Sequence, residues 1–326
     1  MQQRPLGKTG FQASAIGFGA WAIGGSWGDV DDEESLRALH AAADAGVTFF
    51  DTADVYGDGR SERLIARFRK DRKEPIVVAT KIGRRAPLDL KQYTPENLTE
   101  WIDRSRANLD VDRLDLVQLH SLPTDTYYHP EIFATMDGFI LDGRIASYGV
   151  SVERVEEGLK AIEFPNVAAV QIVFNIFRQR PADRFLGEAH ARNVAVIARV
   201  PLASGLLTGK FNRHTHFSAT DHRNFNRHGE SFDVGETFAG VDYNTALEVV
   251  EELRPLVPKG TTMAQMALRW ILMHDGISTV IPGAKTADQA RANAAAADLP
   301  PLPDATMERI ASLYRERVAP LVAQRW

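Results

Sequence analysis

Four side chains suited to proton transfer stand at, or just beyond, the ends of short apolar runs: Asp51, Tyr56, Lys81 and His120. A phenol ionises near pH 10, too high for easy proton donation at neutral pH. A neighbouring ammonium stabilises the phenolate, and a carboxylate paired with that ammonium keeps it charged and oriented. Carboxylate and ammonium must then both be partly buried, which only pairing makes tolerable. A histidine close by can bond a substrate oxygen or share the proton. Such a set is an acid/base apparatus for a carbonyl oxygen. It contains no nucleophile, so covalent catalysis is not expected, and the carbonyl carbon must take a hydride from an external nicotinamide.

The elements that must bring these residues together are legible as alternating patterns. Short apolar runs read as buried parallel strands over Ala15–Phe18, Thr48–Asp51, Ile76–Lys81, Leu114–His120, Ile145–Val150, Val170–Val173, Ala195–Val200 and Thr279–Pro282. Amphipathic stretches of helical length lie between them: Ser35–Ala45, Thr94–Leu109, Pro130–Leu141, Val152–Ile162, Phe185–Arg192, Ala246–Leu253 and Thr262–His274. Eight strands alternating with helices predict an α/β fold, a closed (β/α)8 TIM barrel rather than an open doubly wound sheet, as one unit over residues 1–326. Lys8-Thr9-Gly10 within Arg4–Ser14 predicts an N-terminal β-hairpin, and Ala305–Val322 a C-terminal helix. The even spacing breaks between the seventh and eighth strands, where a loop and helix insertion of about eighty residues holds a polar stretch over Phe211–Tyr243. A long irregular segment of this kind is expected to be functional.

In parallel barrels the site forms at the carboxyl ends of the strands. Asp51, Lys81, His120 and Ser151 end or follow four successive runs, Gln171 sits within the sixth, and Arg199 lies near the end of the seventh. Tyr56 follows Asp51 in Asp-Thr-Ala-Asp-Val-Tyr-Gly. Gly17-Phe18-Gly19-Ala20-Trp21-Ala22 matches a relaxed GxGxxA dinucleotide fingerprint but runs into more glycines instead of a helix, so it is not read as one. Two better phosphate seats follow the last two strands. One is Pro201 to Lys210, with small residues that let backbone N–H groups approach an anion. The other is Pro282 to Thr286, opening a helix that carries Gln289, Arg291 and Asn293. Lys285 and Arg291 would suit a 2′-phosphate, which favours NADP(H) over NAD(H).

Composition removes other classes. The 326 residues include no cysteine, which excludes disulfides, thiolate zinc sites, iron–sulfur clusters and a Cys nucleophile. A formal charge of −5 argues against nucleic-acid or anionic-membrane partners. The start lacks the apolar core of a signal peptide, and no run is long enough to span a bilayer, so a cytoplasmic protein with a small-molecule carbonyl substrate is expected. No metal site is expected: His214, His216, His222 and His228 crowd the polar stretch, but the segment reads as a solvated loop. Trp21 is placed at a substrate pocket, Trp326 at the surface or an interface, and His274 in a helix-end cap region.

Together these motifs make the chain resemble an aldo-keto reductase over nearly its whole length. The resemblance rests on the N-terminal hairpin, Gly-Phe-Gly-Ala-Trp, Phe-Asp-Thr-Ala-Asp-Val-Tyr-Gly, Val-Gln-Leu-His120, Tyr-Gly-Val-Ser151, Gly-Leu-Leu-Thr-Gly-Lys and Ile-Pro-Gly-Ala-Lys-Thr. It implies an NADP(H)-binding barrel reducing aldehydes and ketones, with Asp51, Tyr56, Lys81 and His120 as the catalytic tetrad and Tyr56 as general acid. It implies that Ser151 and Gln171 hold the carboxamide, and that Ser204, Lys210, Lys285, Thr286, Gln289 and Asn293 contact phosphate and adenosine. Trp21, Arg199, Pro201, Leu202, Gly205, Leu207 and Gly283 complete the expected cofactor site. The alternative is a non-catalytic NADPH-binding sensor or regulatory module on the same barrel. One position departs from the pattern. The family usually places an aromatic residue where Arg199 stands, stacked on the nicotinamide. A guanidinium can also stack, but its charge is expected to disfavour the positively charged oxidised ring.

Overall fold

The computed structural model of the chain describes residues 1–25, 27 and 31–326. Ser26 and Gly28, part of the glycine-rich run weighed above, lie outside the described residues. Strands β1 (Gln3–Pro5) and β2 (Gln12–Ser14) pair antiparallel as the expected hairpin. Eight parallel strands follow: β3 (Phe18–Gly19), β4 (Phe49–Asp51), β5 (Val77–Ile82), β6 (Leu114–His120), β7 (Ile145–Val152), β8 (Val167–Val173), β9 (Ala195–Arg199) and β10 (Ile277–Val280). They lie side by side in chain order, and single parallel bridges from Ile16 to Val280 and from Gly19 to Gly283 bring the first back to the last. The expected (β/α)8 barrel is therefore present.

The two glycines of the apparent dinucleotide fingerprint serve this seam. Gly17 N–H donates to the Val280 carbonyl at 2.7 Å and Gly19 N–H to that of Pro282 at 3.0 Å. A Cβ on Gly19 would stand 2.8 Å from the Ile281 carbonyl oxygen, so only glycine lets the edges meet.

The helices are α1 (Asp32–Asp44), α2 (Arg60–Lys70), α3 (Pro95–Leu109), α4 (Pro130–Leu141), α5 (Val155–Ala161), α6 (Phe185–Ala191), α7 (His222–Phe225), α8 (Tyr243–Leu253), α9 (Met263–Leu272), α10 (Ala287–Ala295) and α11 (Asp304–Leu313). Helix α3 starts as its sequence predicts, with the Thr94 hydroxyl accepting from Asn97 N–H and Pro95 in the first turn. Helix α2 is absent from the sequence reading. Its apolar face is only Leu64, Ile65 and Phe68, all buried, within a run dominated by arginine. The C-terminal segment continues α11 through one wide turn, Tyr314–Val318, into a final helical turn at Ala319–Val322.

Inside the barrel, side chains alternate with the strand period, so residues two apart share the interior. The lower interior is apolar: Phe49, Val77, Ala79, Leu116, Ala169, Ala195 and Ile197 form one cluster with Leu6 and Ala13 of the hairpin. The hairpin thus plugs the amino-terminal end of the barrel. Gly7 makes this contact possible. Its φ is +55°, and a Cβ there would lie 2.4 Å from Ala195 N and 2.7 Å from the Ala168 carbonyl oxygen.

Trp326 corrects the surface assignment. It is 4% exposed, the Arg178 guanidinium lies 3.9 Å over its ring, and its indole N–H donates to Asp233 Oδ1 at 2.9 Å. Arg180 donates to its backbone oxygen. An aromatic ring stacked on a buried guanidinium loses more by fraying than an ordinary terminal residue does.

Gly7→Ala combines a left-handed backbone with a backbone clash, so it is expected to cost about 3 kcal/mol of stability. Urea unfolding should show a lower midpoint with an unchanged slope.

Candidate active site

Extending the inward parity of each strand upward replaces apolar residues by polar ones. Asp51 follows Phe49, Lys81 follows Ala79, Gln118 and His120 follow Leu116, Gln171 follows Ala169, and Arg199 follows Ile197. Register sets neighbours: Lys81 lies opposite Gln118, His120 opposite Ser151, and Ser151 opposite Gln171. The polar layer therefore sits directly on the dry lower core.

Lys81 is 1% exposed, and all three of its N–H donors are used. Nζ lies 2.5 Å from Asp51 Oδ1, 2.8 Å from the Thr52 carbonyl oxygen and 3.3 Å from the Tyr56 oxygen. The second Asp51 oxygen accepts from Gln118 Nε2 at 3.0 Å and Gln171 Nε2 at 2.7 Å, and Gln171 also donates to Gln118 Oε1 at 3.1 Å. The His120 ring stands edge-on to Tyr56 with centroids 6.0 Å apart, and Trp21 stacks on the other side of Tyr56 at 6.0 Å. The four expected acid/base residues thus meet around one phenol.

A cavity of about 490 Å³ opens over this cluster. Asp51, Tyr56 and His120 line it, whereas Lys81 lies behind them. Trp21, Ser151, Gln171, Arg199, Pro201 and Leu202 also line it, as do Ser204, Gly205, Lys210, Gly283, Lys285, Gln289 and Asn293. Two expected contacts are not among its lining residues. Leu207 is wholly buried in the core, and Thr286 caps α10 by accepting from Gln289 N–H. Several lining groups already have protein partners. The Ser204 hydroxyl donates to the Glu236 carbonyl and accepts from Phe238 N–H, the Gln289 carbonyl accepts from Lys285 N–H, Asn293 donates to the Gly283 carbonyl, and Lys285 donates to the Trp27 carbonyl.

Arg199 is not an isolated cation. Nη2 lies 2.8 Å from Glu153 Oε2, and Nη1 3.7 Å from Glu236 Oε1. Arg84 bridges the same two carboxylates, at 3.4 Å to Glu153 and 3.2 Å to Glu236. The sequence reading missed Gln118, Arg84, Glu153 and Glu236. Gln118 carried a signal, since it is two residues before His120 on one strand and must share its face. Glu236 carried none, because the insertion brings it back to the barrel by a path no local pattern reveals. His222 corrects the solvated-loop expectation. It is fully buried, with its ring 4.8 Å from Trp21 and 4.3 Å from Trp27, while His214, His216 and His228 are exposed. No cluster of metal-ligating side chains occurs among the described residues.

The chain has relatives of similar sequence and fold among known proteins. Residues 15–315 match the model of the aldo/keto reductase family. The chain is 29% identical to Aldo-keto reductase YhdN of Bacillus subtilis, over 90% of this chain and 87% of that protein. It is 30% identical to a probable voltage-gated potassium channel subunit beta of Arabidopsis thaliana, over 93% of each. Its fold is similar to that of the glycerol dehydrogenase AKR11B4 from Gluconobacter oxydans, with a TM-score of 0.78, 26% identity and coverage of 97% and 96%.

Burial sets the protonation of the site. It raises the Tyr56 phenol above its ordinary value, and the Lys81 ammonium opposes this without overcoming it. The expected lowering by Lys81 is therefore outweighed in the free protein, and the phenol keeps its proton at neutral pH. Burial also pulls the Lys81 ammonium down, but the Asp51 carboxylate and the Tyr56 oxygen more than restore it. His120 is pushed well below the ordinary imidazole value by burial and by the cations Arg84, Lys81 and Arg199. Its neutral form is thus the folded form. The unfolded chain takes up that proton near pH 6.5, so stability falls as pH drops below it, by about 1.4 kcal/mol per pH unit until the folded site protonates. His120→Gln should reduce the fall in urea-unfolding free energy between pH 7 and pH 5. An unchanged fall would mean that His120 is charged in the folded protein.

Proposed function

We propose that the chain, which belongs to the aldo/keto reductase family, is an oxidoreductase of carbonyl groups that uses NADP(H), with Tyr56 as its proton donor in carbonyl reduction, Lys81 and Asp51 as positioning residues and His120 as the group that orients the substrate oxygen. We read the chain as one functional unit over residues 1–326. The observation that carries this is the single ammonium held between a buried carboxylate and a phenol at the floor of a cavity.

The residues present fit the cofactor. The far lining of the cavity offers Lys210 and Lys285 as cations, and Ser204 and Gly205 as small residues on a left-handed turn, with φ of +55° and +98°. Lys285 stands just before the N-cap of α10, where backbone N–H groups favour an anion. Ser151 and Gln171 remain the candidates for the carboxamide. When bound, the nicotinamide supplies the hydride.

The chain's own part is proton management. Tyr56 keeps its proton until a carbonyl oxygen approaches and gains negative charge. The Lys81 ammonium then stabilises the phenolate left behind, and Asp51 holds the ammonium in place through Oδ1. Gln118 and Gln171 occupy the other Asp51 oxygen and keep the carboxylate from rotating away. Trp21 and Trp27, at 5.4 Å edge to face, wall the approach with apolar surface and keep water from the phenol.

A second reading, a cofactor-binding regulatory subunit without turnover, draws on the likeness to the channel subunit beta. Steady oxidation of NADPH in the presence of an aldehyde separates the two. Tyr56→Phe is expected to lower turnover by about 10²–10⁴-fold while NADPH binds as before. Near-full turnover in that variant would remove Tyr56 from the mechanism. Lys285→Met should weaken NADPH by about tenfold and leave NADH nearly unchanged, because only the former carries the extra phosphate. Equal weakening of both, followed by fluorescence titration, would place Lys285 on a phosphate common to the two.

A further inference from the structure

The carboxyl end of the barrel carries a second group of charges besides Lys81 and Asp51, two of them buried and two half-buried. Arg199 closes β9, Glu153 follows β7, Arg84 follows β5, and Glu236 arrives from the insertion. They alternate in sign around a ring: Arg199 to Glu153, Glu153 to Arg84, Arg84 to Glu236, Glu236 to Arg199. The nominal charges cancel. Arg199 is 7% exposed and also donates to the Val152 carbonyl at 3.1 Å, so its guanidinium is fixed. Glu236 is fixed independently of its carboxylate, through the Ser204 hydroxyl on its carbonyl and Trp326 on Asp233.

Burying Arg199 and Glu236, with Arg84 and Glu153 half-buried beside them, is costly compared with apolar residues of similar size. A flat surface alone does not require it. What a compensated guanidinium offers, and a lone one does not, is a planar face without net local charge. Arg199 and Glu236 both line the cavity, and the charge of Arg199 is felt by both Tyr56 and His120. Oxidised and reduced nicotinamide rings differ by one positive charge. Any uncompensated charge beside the ring therefore changes the affinity for the oxidised form, leaves that for the neutral reduced ring nearly unchanged, and so moves the ratio of the two.

We propose that Glu153 and Glu236 are counter-ions to Arg199 that set the relative affinity of the site for NADP⁺ and NADPH. The inference rests on the cofactor reading above and extends it to the poise between the two forms. Glu153 and Glu236 are positioning residues in this role, since they act through Arg199.

Equilibrium binding of NADP⁺ and of NADPH to the full chain, followed by quenching of tryptophan fluorescence without substrate, tests it. Removing one carboxylate by Glu236→Gln or Glu153→Gln leaves a net positive ring. The ratio Kd(NADP⁺)/Kd(NADPH) should rise by about tenfold. Arg199→Met leaves a net negative group, and the ratio should fall below that of the unaltered protein. Arg199→Met combined with Glu236→Gln should return it close to the original. Arg199 and Glu236 are buried, so the shifts should largely persist at high salt. A merely structural role would weaken both cofactors alike and leave the ratio flat in every variant, which overturns the proposal. If Glu236→Gln fails to fold, Glu153→Gln and Arg199→Met still give opposite signs or do not. If neither cofactor binds the unaltered protein, the cofactor reading falls and this inference with it. A flat ratio with intact binding removes this inference alone.

Discussion

The ammonium of Lys81 is the constraint on which the upper half of the barrel depends. An unpaired cation at that depth would lose its proton or unfold the strand that carries it. Asp51 prevents both, and so must itself be buried within 2.5 Å of the ammonium. Once a carboxylate is buried, its remaining lone pairs need donors, and Gln118 and Gln171 supply them from two further strands. Four of the eight strands are thereby committed to a polar position at the same height. Tyr56 then occupies the one Lys81 donor left after Asp51 and Thr52.

The apolar layer beneath is the complement of this. Small residues, Ala79, Ala169 and Ala195, leave room for the hairpin to insert Leu6 and Ala13 from below. The plug keeps water from reaching Lys81 from the amino-terminal end, so its electrostatics are controlled from the cavity side alone. Strand period connects the two layers: on five strands the uppermost floor residue, Phe49, Ala79, Leu116, Ala169 or Ile197, has a polar residue two positions later. Shifting one strand by a residue would turn both its floor residue and its polar residue away from the interior, which is why the polar layer also fixes register.

Much of this was legible because barrel strands end where their function begins. Apolar runs closing on Asp51, Lys81 and His120 show the site before any contact is known, and the period of two would have added Gln118. Helix α2 was illegible because its buried face is three residues wide among arginines, so the periodic signal is weak. Strand β8 begins at Val167, ahead of the expected Val170, because Ala168 and Ala169 are too small to strengthen an apolar run. The Arg84, Glu153, Arg199 and Glu236 ring was illegible for another reason. Its members are spread over about 150 residues, and their pairing exists only once the insertion has folded back. The same holds for Trp326, whose burial depends on Asp233, Arg178 and the lack of a side chain at Gly240, where a Cβ would strike its ring. Cofactor-site residues are expected from loop composition and from the family resemblance, yet Ser204 and Gln289 spend hydrogen bonds on shaping those loops, which composition cannot distinguish from binding a ligand.

The two charge groups together decide which side chain can act as the acid. His120 faces three cations, Arg84, Lys81 and Arg199, and burial adds to their effect. Its imidazole is therefore neutral, and a neutral imidazole holds its remaining proton far too tightly to give it to an oxygen at neutral pH. Tyr56 lies against only one of these cations at bonding distance, while Asp51 and Glu236 push in the opposite direction. It keeps its proton in the resting protein and has Lys81 in place to stabilise the phenolate. The same cations that prevent His120 from donating a proton leave it free to hold an oxygen without competing for charge. Division of labour between the two rings thus follows from where the guanidinium and ammonium groups stand, and the carboxylates that fix those groups are part of the chemistry even though none of them needs to touch a substrate.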